Sequence, residues 1–308
     1  MFGRFHGDIF QRGGIWYAYL HMNYRYIDTH AHVNITAFKD DWKEVIERTR
    51  GAGVMHINVG TQQDTSARAV EIAESFDDGV FAMVGLHPVH TSASYHDQSE
   101  LGENMKAFTS RGEVFDKNFY RELAKNEKVV AIGECGYDYY RLEENTKEVQ
   151  EEAFIAQIEL ANELGLPLMI HTRDAQGNQV SASAKGSVYD DTYATLKQYA
   201  KVPFNVHFYA GSWEQAQKFF EIGGTISFTG VITFAKDYEE VVRNAPLDLI
   251  HAETDCPYVA PKPFRGKRCE PTMVTEVYKK IAELKNIDEE VVREQLMENA
   301  KRLYKIAL

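Results

Sequence analysis

Histidine and carboxylate side chains recur in this sequence where short apolar segments end. His30 and His32 stand two residues apart in the stretch RYIDTHAHVN. Side chains alternate across a strand, so a strand here would point both imidazoles to the same side. Such a pair can bind a divalent cation, or it can be two polar residues at the end of a strand. The choice depends on whether the rest of the chain has matching ligands in matching places.

Further polar and charged residues follow later apolar segments. They are Glu134, His171, Arg173, His207, Glu253 and Asp255. Imidazole and carboxylate groups are ligands of zinc, manganese and similar ions. We therefore predict a metal site made of His30, His32, Glu134, His171, His207 and Asp255. Six ligands with one shared carboxylate fit two divalent cations per chain, and magnesium, manganese and zinc are the candidates. His56, His87 and His251 are interpreted as structural or supporting residues.

The segments that carry these residues alternate with amphipathic stretches. Eight apolar, β-branched runs begin at RYIDT and end at LIHAETDCPYV, and most are separated by helix-like segments such as KDDWKEVIERTRGAG. This alternation predicts an α/β fold, a single (β/α)8 TIM-type barrel. An open doubly wound sheet is the alternative, but no Gly-x-Gly-x-x-Gly or Walker-type loop supports it. Interior barrel residues are normally apolar, so polar groups at strand ends are costly unless a partner satisfies them.

The chain of 308 residues is expected to form one barrel domain over residues 25–308. Residues 1–24 show no helical or strand periodicity, and we predict a poorly packed N-terminal extension. Residues 175–187 are small and polar, and we interpret them as an inserted loop. This loop follows the fifth strand, and in a barrel such strand-to-helix connections form the catalytic face.

Charge is distributed unevenly along this acidic chain. The formal net charge is −12, which argues against nucleic-acid binding by a general basic surface. Residues 261–268 contain Lys262, Arg265, Lys267 and Arg268 and no acidic residue. We predict that these four residues, with Arg173, bind substrate phosphates beside the cations. A solvated loop without that function is the alternative.

The cysteines and the apolar runs bear on location. Three cysteines do not form a disulfide framework, and no apolar run approaches the ~20 residues of a membrane span. We expect a cytoplasmic protein with no membrane association and no stable protein partner. Tyr137, Tyr139 and Tyr140 follow Glu134, and they could stack on nucleobases or pack under a loop.

The complete set of motifs resembles the TatD family of metal-dependent hydrolases, from about Tyr26 to the C-terminus. The matching stretches are IDTHAH, GLHP, GECGYDYYR, LPLMIHTRDA, VHFYAG, ISFTGVITF, AETDCPYVAP, RGKR and ENAKRLY. Departures from the common family pattern stand at Cys135, Phe208, Tyr209 and Cys269, and none of them removes a ligand.

The resemblance implies a two-cation deoxyribonuclease that acts on DNA, commonly from the 3′ end. It implies that His30, His32 and Asp255 bind one cation, that His171 and His207 bind the other, and that Glu134 bridges them. Our hypothesis is that cation-activated water attacks phosphorus and that Asp255 takes a proton from that water, which makes Glu134 and Asp255 the catalytic residues.

Two alternatives remain open from the sequence. One is a hydrolase on the same barrel that cleaves another ester or an amide, such as an aminoacyl ester. The other is a metal-retaining binding protein without catalytic activity.

Overall fold

The computed structural model describes residues 8–12, 15–19, 24–93, 95–96, 108–109, 111–140, 146–175 and 187–306. Most of the loop predicted at 175–187 lies outside these residues. No helix in the described part of the chain is long and apolar enough to cross a membrane.

Eight parallel strands form the central sheet, one for each predicted apolar run. They are β3 (Tyr26–Ala31), β4 (Val54–Val59), β5 (Val80–Val84), β8 (Val129–Asp138), β9 (Leu168–Arg173), β10 (Phe204–Val206), β11 (Gly224–Phe228) and β12 (Ile250–Ala252). Their order in the sheet, β12-β11-β10-β9-β8-β5-β4-β3, follows the order in the sequence. This simple order is the one that short right-handed crossovers produce.

The first and last strands meet and close the sheet. The Asp255 amide donates to the His30 carbonyl at 2.9 Å, and the His32 amide donates to the Cys256 carbonyl at 2.9 Å. A parallel bridge joins Ala31 to Cys256. The prediction of a single (β/α)8 barrel is therefore confirmed.

Helices connect the strands and cover the sheet. The described helices are α1 (Trp42–Gly51), α2 (Gln63–Glu74), α3 (Lys117–Leu123), α4 (Thr146–Leu164), α5 (Val188–Tyr199), α6 (Trp213–Glu221), α7 (Glu239–Asn244), α8 (Val274–Lys285) and α9 (Glu289–Tyr304). Short 3-10 turns lie at Thr36–Phe38, Pro88–His90, Gly230–Thr233, Lys236–Tyr238, Leu247–Leu249 and Pro271–Met273.

The helix boundaries have local causes. At α6, the Ser212 hydroxyl accepts from the Gln215 amide, and the Gln215 side chain accepts from the Ser212 amide, which is a capping box. In α4, Phe154, Ile158 and Ala161 recur at helical spacing and are buried against the sheet. Burial of such a face stabilises the helix more than its intrinsic propensity does.

Hydrophobic side chains fill the layer between strands and helices, with representatives such as Val84, Ile132 and Phe154. A smaller cluster joins Met55 and Met169 of the strands to Leu303 of α9. The core therefore holds the strands in register, and the polar residues at their carboxyl ends are positioned by it.

In the described part of the chain, two antiparallel strand pairs lie outside the barrel sheet. In the N-terminal extension, β1 (Asp8–Arg12) pairs with β2 (Ile15–Tyr19). The sequence IWYAY of β2 lacks alternation, but its aromatic and β-branched composition favours a strand. After β5, β6 (Tyr95–His96) pairs with β7 (Phe108–Thr109).

Candidate metal centre

The six predicted ligands converge at the carboxyl ends of the strands. His30 lies in β3, Glu134 in β8 and His171 in β9. His32 and His207 follow directly after β3 and β10, and Asp255 is the third residue after β12. The side chains of His171 and Asp255 are each 13% exposed, and the other four ligands are buried. The group therefore opens to solvent on the side of Asp255 and His171.

One half of the site brings together His30, His32 and Asp255. The Nε2 atoms of the two histidines are 3.0 Å apart. Asp255 Oδ1 lies 3.8 Å from His30 Nε2 and 3.4 Å from His32 Nε2. Glu134 contacts this half with Oε2, at 3.4 Å from His30 and 3.8 Å from His32.

The other half surrounds the second oxygen of Glu134. Oε1 lies 2.7 Å from His207 Nε2 and 2.7 Å from His171 Nδ1. These two nitrogens are 3.3 Å apart. The His207 ring also stacks on the His30 ring, with centroids 4.0 Å apart, so the two halves are in direct contact.

The donor set fits divalent cations. Among the residues that the structure describes, three groups of side chains hold their ligand atoms within 4.8 Å of one another. They are His30, His32 and Asp255; His30, Glu134 and His207; and His87, Glu134 and His171. Four imidazoles and two carboxylates in a largely buried position are satisfied best by a bound cation.

The buried charges perturb each other strongly. Burial alone would raise the pKa of Glu134, but His207, His87 and His30 hold it well below its usual range. Burial alone would lower the pKa of His207, but Glu134 and Glu253 raise it well above its usual range. The carboxylate and the imidazoles thus stabilise each other's charged forms, and the same carboxylate would stabilise the charge of a bound cation.

His32 and His171 have a hydrogen-bond partner on the ring nitrogen that faces away from the centre, and His207 has a carboxylate near that nitrogen at a longer distance. His32 Nδ1 contacts the Val59 carbonyl at 2.9 Å. His171 Nε2 contacts Asp138 Oδ2 at 2.9 Å. His207 Nδ1 lies 3.4 Å from Glu253 Oε1. Partners of this kind fix the ring orientation of metal-binding histidines.

His87 lies in the centre, although the sequence indicated only a structural or supporting role. Its Nε2 is 3.3 Å from Glu134 Oε1, and its Nδ1 accepts from the Val89 amide at 3.2 Å. Because Nδ1 accepts, the ring proton of the neutral form is on Nε2 and points at Glu134. Its position at the carboxyl end of the third strand, in GLHP, was the available signal.

Asp138 is a second residue that the sequence did not single out. It lies four residues after Glu134 in β8, so strand alternation alone places both on one face. Burial alone would raise the pKa of Asp138, but His171 and Arg173 lower it.

The predicted phosphate-binding residues differ in their surroundings. The Arg173 guanidinium stacks on the Tyr140 ring, 3.7 Å from its centroid. Arg173 lies opposite Asp138 in the pairing of β8 with β9, two residues after His171. Lys262, Arg265 and Lys267 are exposed. Arg268 instead donates to both carboxylate oxygens of Asp41, so its charge is already paired.

Several residues near the ligands serve packing. Tyr137 is buried, and its hydroxyl contacts Thr195 at 3.0 Å. Tyr139 donates to Asp191 at 2.7 Å. Among the departures from the family pattern, Cys135, Tyr209 and Cys269 are buried in the hydrophobic core.

Comparison with known proteins agrees with this geometry. The family model described as TatD related DNase matches residues 27–305. The chain belongs to this family. Over 284 residues it is 38% identical to YabD of Bacillus subtilis (strain 168), named as an uncharacterized metal-dependent hydrolase, covering 91% of this chain and 98% of YabD. It is 29% identical over 286 residues to the 3′-5′ ssDNA/RNA exonuclease TatD of Pectobacterium parmentieri (strain WPP163), covering 89% and 98% of the two chains.

Solved structures show the same TatD family fold. The TatD homologue YJJV of Escherichia coli K12 superposes with a TM-score of 0.74 at 25% identity, covering 93% of this chain and 100% of that one. A TatD family hydrolase of Entamoeba histolytica superposes with a TM-score of 0.72 at 21% identity, covering 92% and 99%. This TatD family member is thus a metal-dependent hydrolase built on a TIM-type barrel.

Proposed function

We propose that this TatD family hydrolase cleaves phosphodiester bonds of DNA from the 3′ end, with two divalent cations bound by His30, His32, Glu134, His171, His207 and Asp255. The observation that carries the proposal is the division of contacts at Glu134. Its Oε2 faces His30 and His32, and its Oε1 faces His171 and His207. A carboxylate with one oxygen toward each group of imidazoles is the arrangement expected of a bridging ligand.

Divalent cations bound there would activate a water molecule and stabilise charge on the phosphoryl oxygens. Among the carboxylates of the centre, Asp255 is the more exposed, so it can reach a water molecule at the mouth and accept its proton. The Nε2–H group of His87 points toward Glu134 Oε1 and can donate a hydrogen bond to a phosphoryl oxygen that binds beside this carboxylate.

The choice of DNA rests on charge and on relatives. Arg173 lies at the carboxyl end of β9, and Lys262, Arg265 and Lys267 form an exposed basic loop after β12. Such side chains bind phosphate groups. The Pectobacterium relative is named as an exonuclease of single-stranded DNA and RNA, and a second so named, from Rahnella sp. (strain Y9602), is 28% identical.

The proposal is tested with end-labelled single-stranded DNA and protein stripped of metal by a chelator. We expect nucleotide release from the 3′ end to return with magnesium, manganese or zinc. Glu134→Gln and Asp255→Asn should each lower kcat by about 100-fold or more, because each removes a charge from the reacting centre. Glu159→Gln is the matched control, since Glu159 is 58% exposed on α4.

Two results would contradict the proposal. One is full turnover of DNA by the wild-type protein in excess chelator. The other is a protein that binds cations but releases no nucleotide with any of the three metals. Hydrolysis of a neutral ester under the same conditions would then favour a different substrate on the same barrel.

A further inference from the structure

Asp138 is a buried carboxylate in contact with a candidate ligand, and the proposed function gives it no task. Its Oδ2 lies 2.9 Å from His171 Nε2, and its Oδ1 accepts from the Tyr140 amide at 2.9 Å. Its backbone is held as well, because the Asp138 amide donates to Gln150 at 2.9 Å and Gln150 donates back to the Asp138 carbonyl at 3.0 Å. The carboxylate therefore has little freedom to rotate.

His171 differs from the other candidate histidines in the nitrogen that faces the centre. It directs Nδ1 to Glu134, whereas His30, His32 and His207 direct Nε2. A neutral imidazole carries one proton, and a cation needs the lone pair of the nitrogen that faces it. His171 can therefore bind a cation through Nδ1 only when its proton is on Nε2, where Asp138 is the acceptor.

We propose that Asp138 is a positioning residue that holds the ring proton of His171 on Nε2 and so presents the Nδ1 lone pair to a divalent cation beside Glu134 Oε1. The inference rests on the cation binding proposed above. Loss of an outer partner of a metal-binding histidine typically costs about 10–100-fold in metal affinity.

Replacing Asp138 by asparagine keeps a side chain in contact with His171 but changes which ring nitrogen of His171 carries the proton. In Asp138→Asn the Tyr140 amide needs an acceptor, so the side-chain oxygen stays on that side and the NH2 group faces His171 Nε2. That NH2 group donates, which selects the form of His171 with its proton on Nδ1. The proton then occupies the position that the cation needs. Asp138→Ala leaves His171 Nε2 without this partner but does not select either neutral tautomer of His171.

Glu253 offers a matched comparison on the neighbouring ligand. Its Oε1 lies 3.4 Å from His207 Nδ1 and accepts from the Phe208 amide at 2.6 Å, while its Oε2 accepts from the Ser227 hydroxyl at 2.7 Å. A hydroxyl can accept as well as donate. Glu253→Gln can therefore turn its NH2 group to Ser227 and keep oxygen toward His207. Glu253→Gln therefore removes one negative charge, as Asp138→Asn does, without placing the His207 ring proton on Nε2, the nitrogen that faces the centre.

The experiment is a calorimetric titration of zinc into the chelator-treated full chain. We expect two zinc ions for the wild type, and at least tenfold weaker binding of one ion in Asp138→Asn. The loss should be larger than in Asp138→Ala and larger than in Glu253→Gln. Wild-type zinc affinity in the asparagine variant would overturn the inference. A loss in either comparison variant that equals or exceeds that of Asp138→Asn would also overturn it, because charge or contact alone would then explain the effect.

A second measurement needs no substitution at Asp138. Long-range proton–nitrogen NMR spectra of the zinc-loaded wild type report which ring nitrogen of His171 carries hydrogen, and the His171 signal is identified by its loss in His171→Asn. We expect the proton on Nε2, and a proton on Nδ1 would overturn the inference. Failure of the wild type to bind zinc, magnesium or manganese would instead contradict the proposed function.

Discussion

At the scale of single residues, a buried histidine outside the centre links stability to pH. His56 in β4 has no hydrogen-bond partner on either ring nitrogen among the described residues. Burial, with a contribution from the charge of Arg50, lowers its pKa to about 3. His251 is likewise buried, and its pKa is lowered to about 3. Both rings stay neutral in the folded protein at a pH where they are charged in the unfolded chain.

We expect this difference to destabilise the fold in mild acid. Between about pH 6.5, the unfolded pKa, and the folded value of about 3, the unfolded chain binds a proton that the folded chain does not. Each such group lowers the free energy of unfolding by about 1.4 kcal/mol for each pH unit below 6.5. His56→Leu should reduce this slope by about that amount between pH 6 and 4. Urea unfolding of chelator-treated protein measures it, and an unchanged slope contradicts the expectation.

Sequence reasoning was most informative for the ligands. Polar groups at strand ends need partners, so six ligands could be grouped without coordinates, namely His30, His32, Glu134, His171, His207 and Asp255. The role of Asp138 could not, because it depends on which nitrogen of a neighbouring ring faces the centre. The ion pair between Arg268 and Asp41 could not be predicted either, because the two residues are distant in sequence.

At the scale of elements, the predicted runs located the strands correctly, but several runs extended past the strand ends. The apolar run FNVHFYAG extends past β10, which ends at Val206, and the last run, LIHAETDCPYV, extends past β12, which ends at Ala252. Phe208 and Asp255 have positive φ values of 44° and 55°, which extended strands do not have. Alternation therefore does not hold from Glu253 to Asp255. Asp255 faces His32 at the mouth, and Glu253 contacts Ser227 in the interior.

Asp28 joins the first strand to the segment after the last one. Its Oδ1 accepts from the Thr254 amide at 2.8 Å and from the His30 amide at 3.2 Å, and its Oδ2 accepts from the Thr254 hydroxyl at 2.5 Å. The carboxylate is fully buried. It thus holds together the two chain segments that carry His30 and Asp255.

We expect Asp28→Ala to destabilise the protein by about 3 kcal/mol or more. Three buried donors lose their acceptor, and each unsatisfied group costs about 1–3 kcal/mol. Asp28→Asn should cost less, because its oxygen can still accept from both amides and its NH2 group can donate to the Thr254 hydroxyl. Urea unfolding of the metal-free variants gives the comparison. Equal stability of the two variants would show that these hydrogen bonds do not hold the closure.

At the scale of the whole molecule, an acidic protein is proposed to act on a polyanion. The formal net charge of −12 repels DNA at long range, so a local basic surface is needed for binding. Lys262, Arg265 and Lys267 are exposed in one loop after β12 and can form that surface. The contrast between the acidic chain and its basic loop predicts that DNA binding depends on salt concentration and on the side chains of this loop.

We expect Lys262→Gln, Arg265→Gln and Lys267→Gln together to raise KM for DNA several-fold and to make KM less dependent on salt, because fewer phosphate contacts release fewer counterions. Activity assays at several salt concentrations measure both effects. A neutral model ester should be affected much less.

The control changes the same total charge elsewhere. Lys125, Lys218 and Lys279 are 63%, 47% and 51% exposed, and each pairs with a carboxylate. Replacing these three by glutamine also takes the net charge from −12 to −15, by removal of three positive charges. Equal effects of the two triple variants would show that net charge, and not the loop, governs DNA binding.

Closure of the barrel between its first and last strands also determines how late in chain synthesis the metal centre can form. Thr254 and Asp28 are separated by 226 positions along the chain, yet the Thr254 amide donates directly to the Asp28 carboxylate. Contacts of such long sequence separation form late, after most of the loop entropy has been lost. A chain still emerging from the ribosome has His30 and His32 long before it has Asp255. The six-ligand centre can therefore form only after synthesis has passed Asp255, when most of the barrel has already been made.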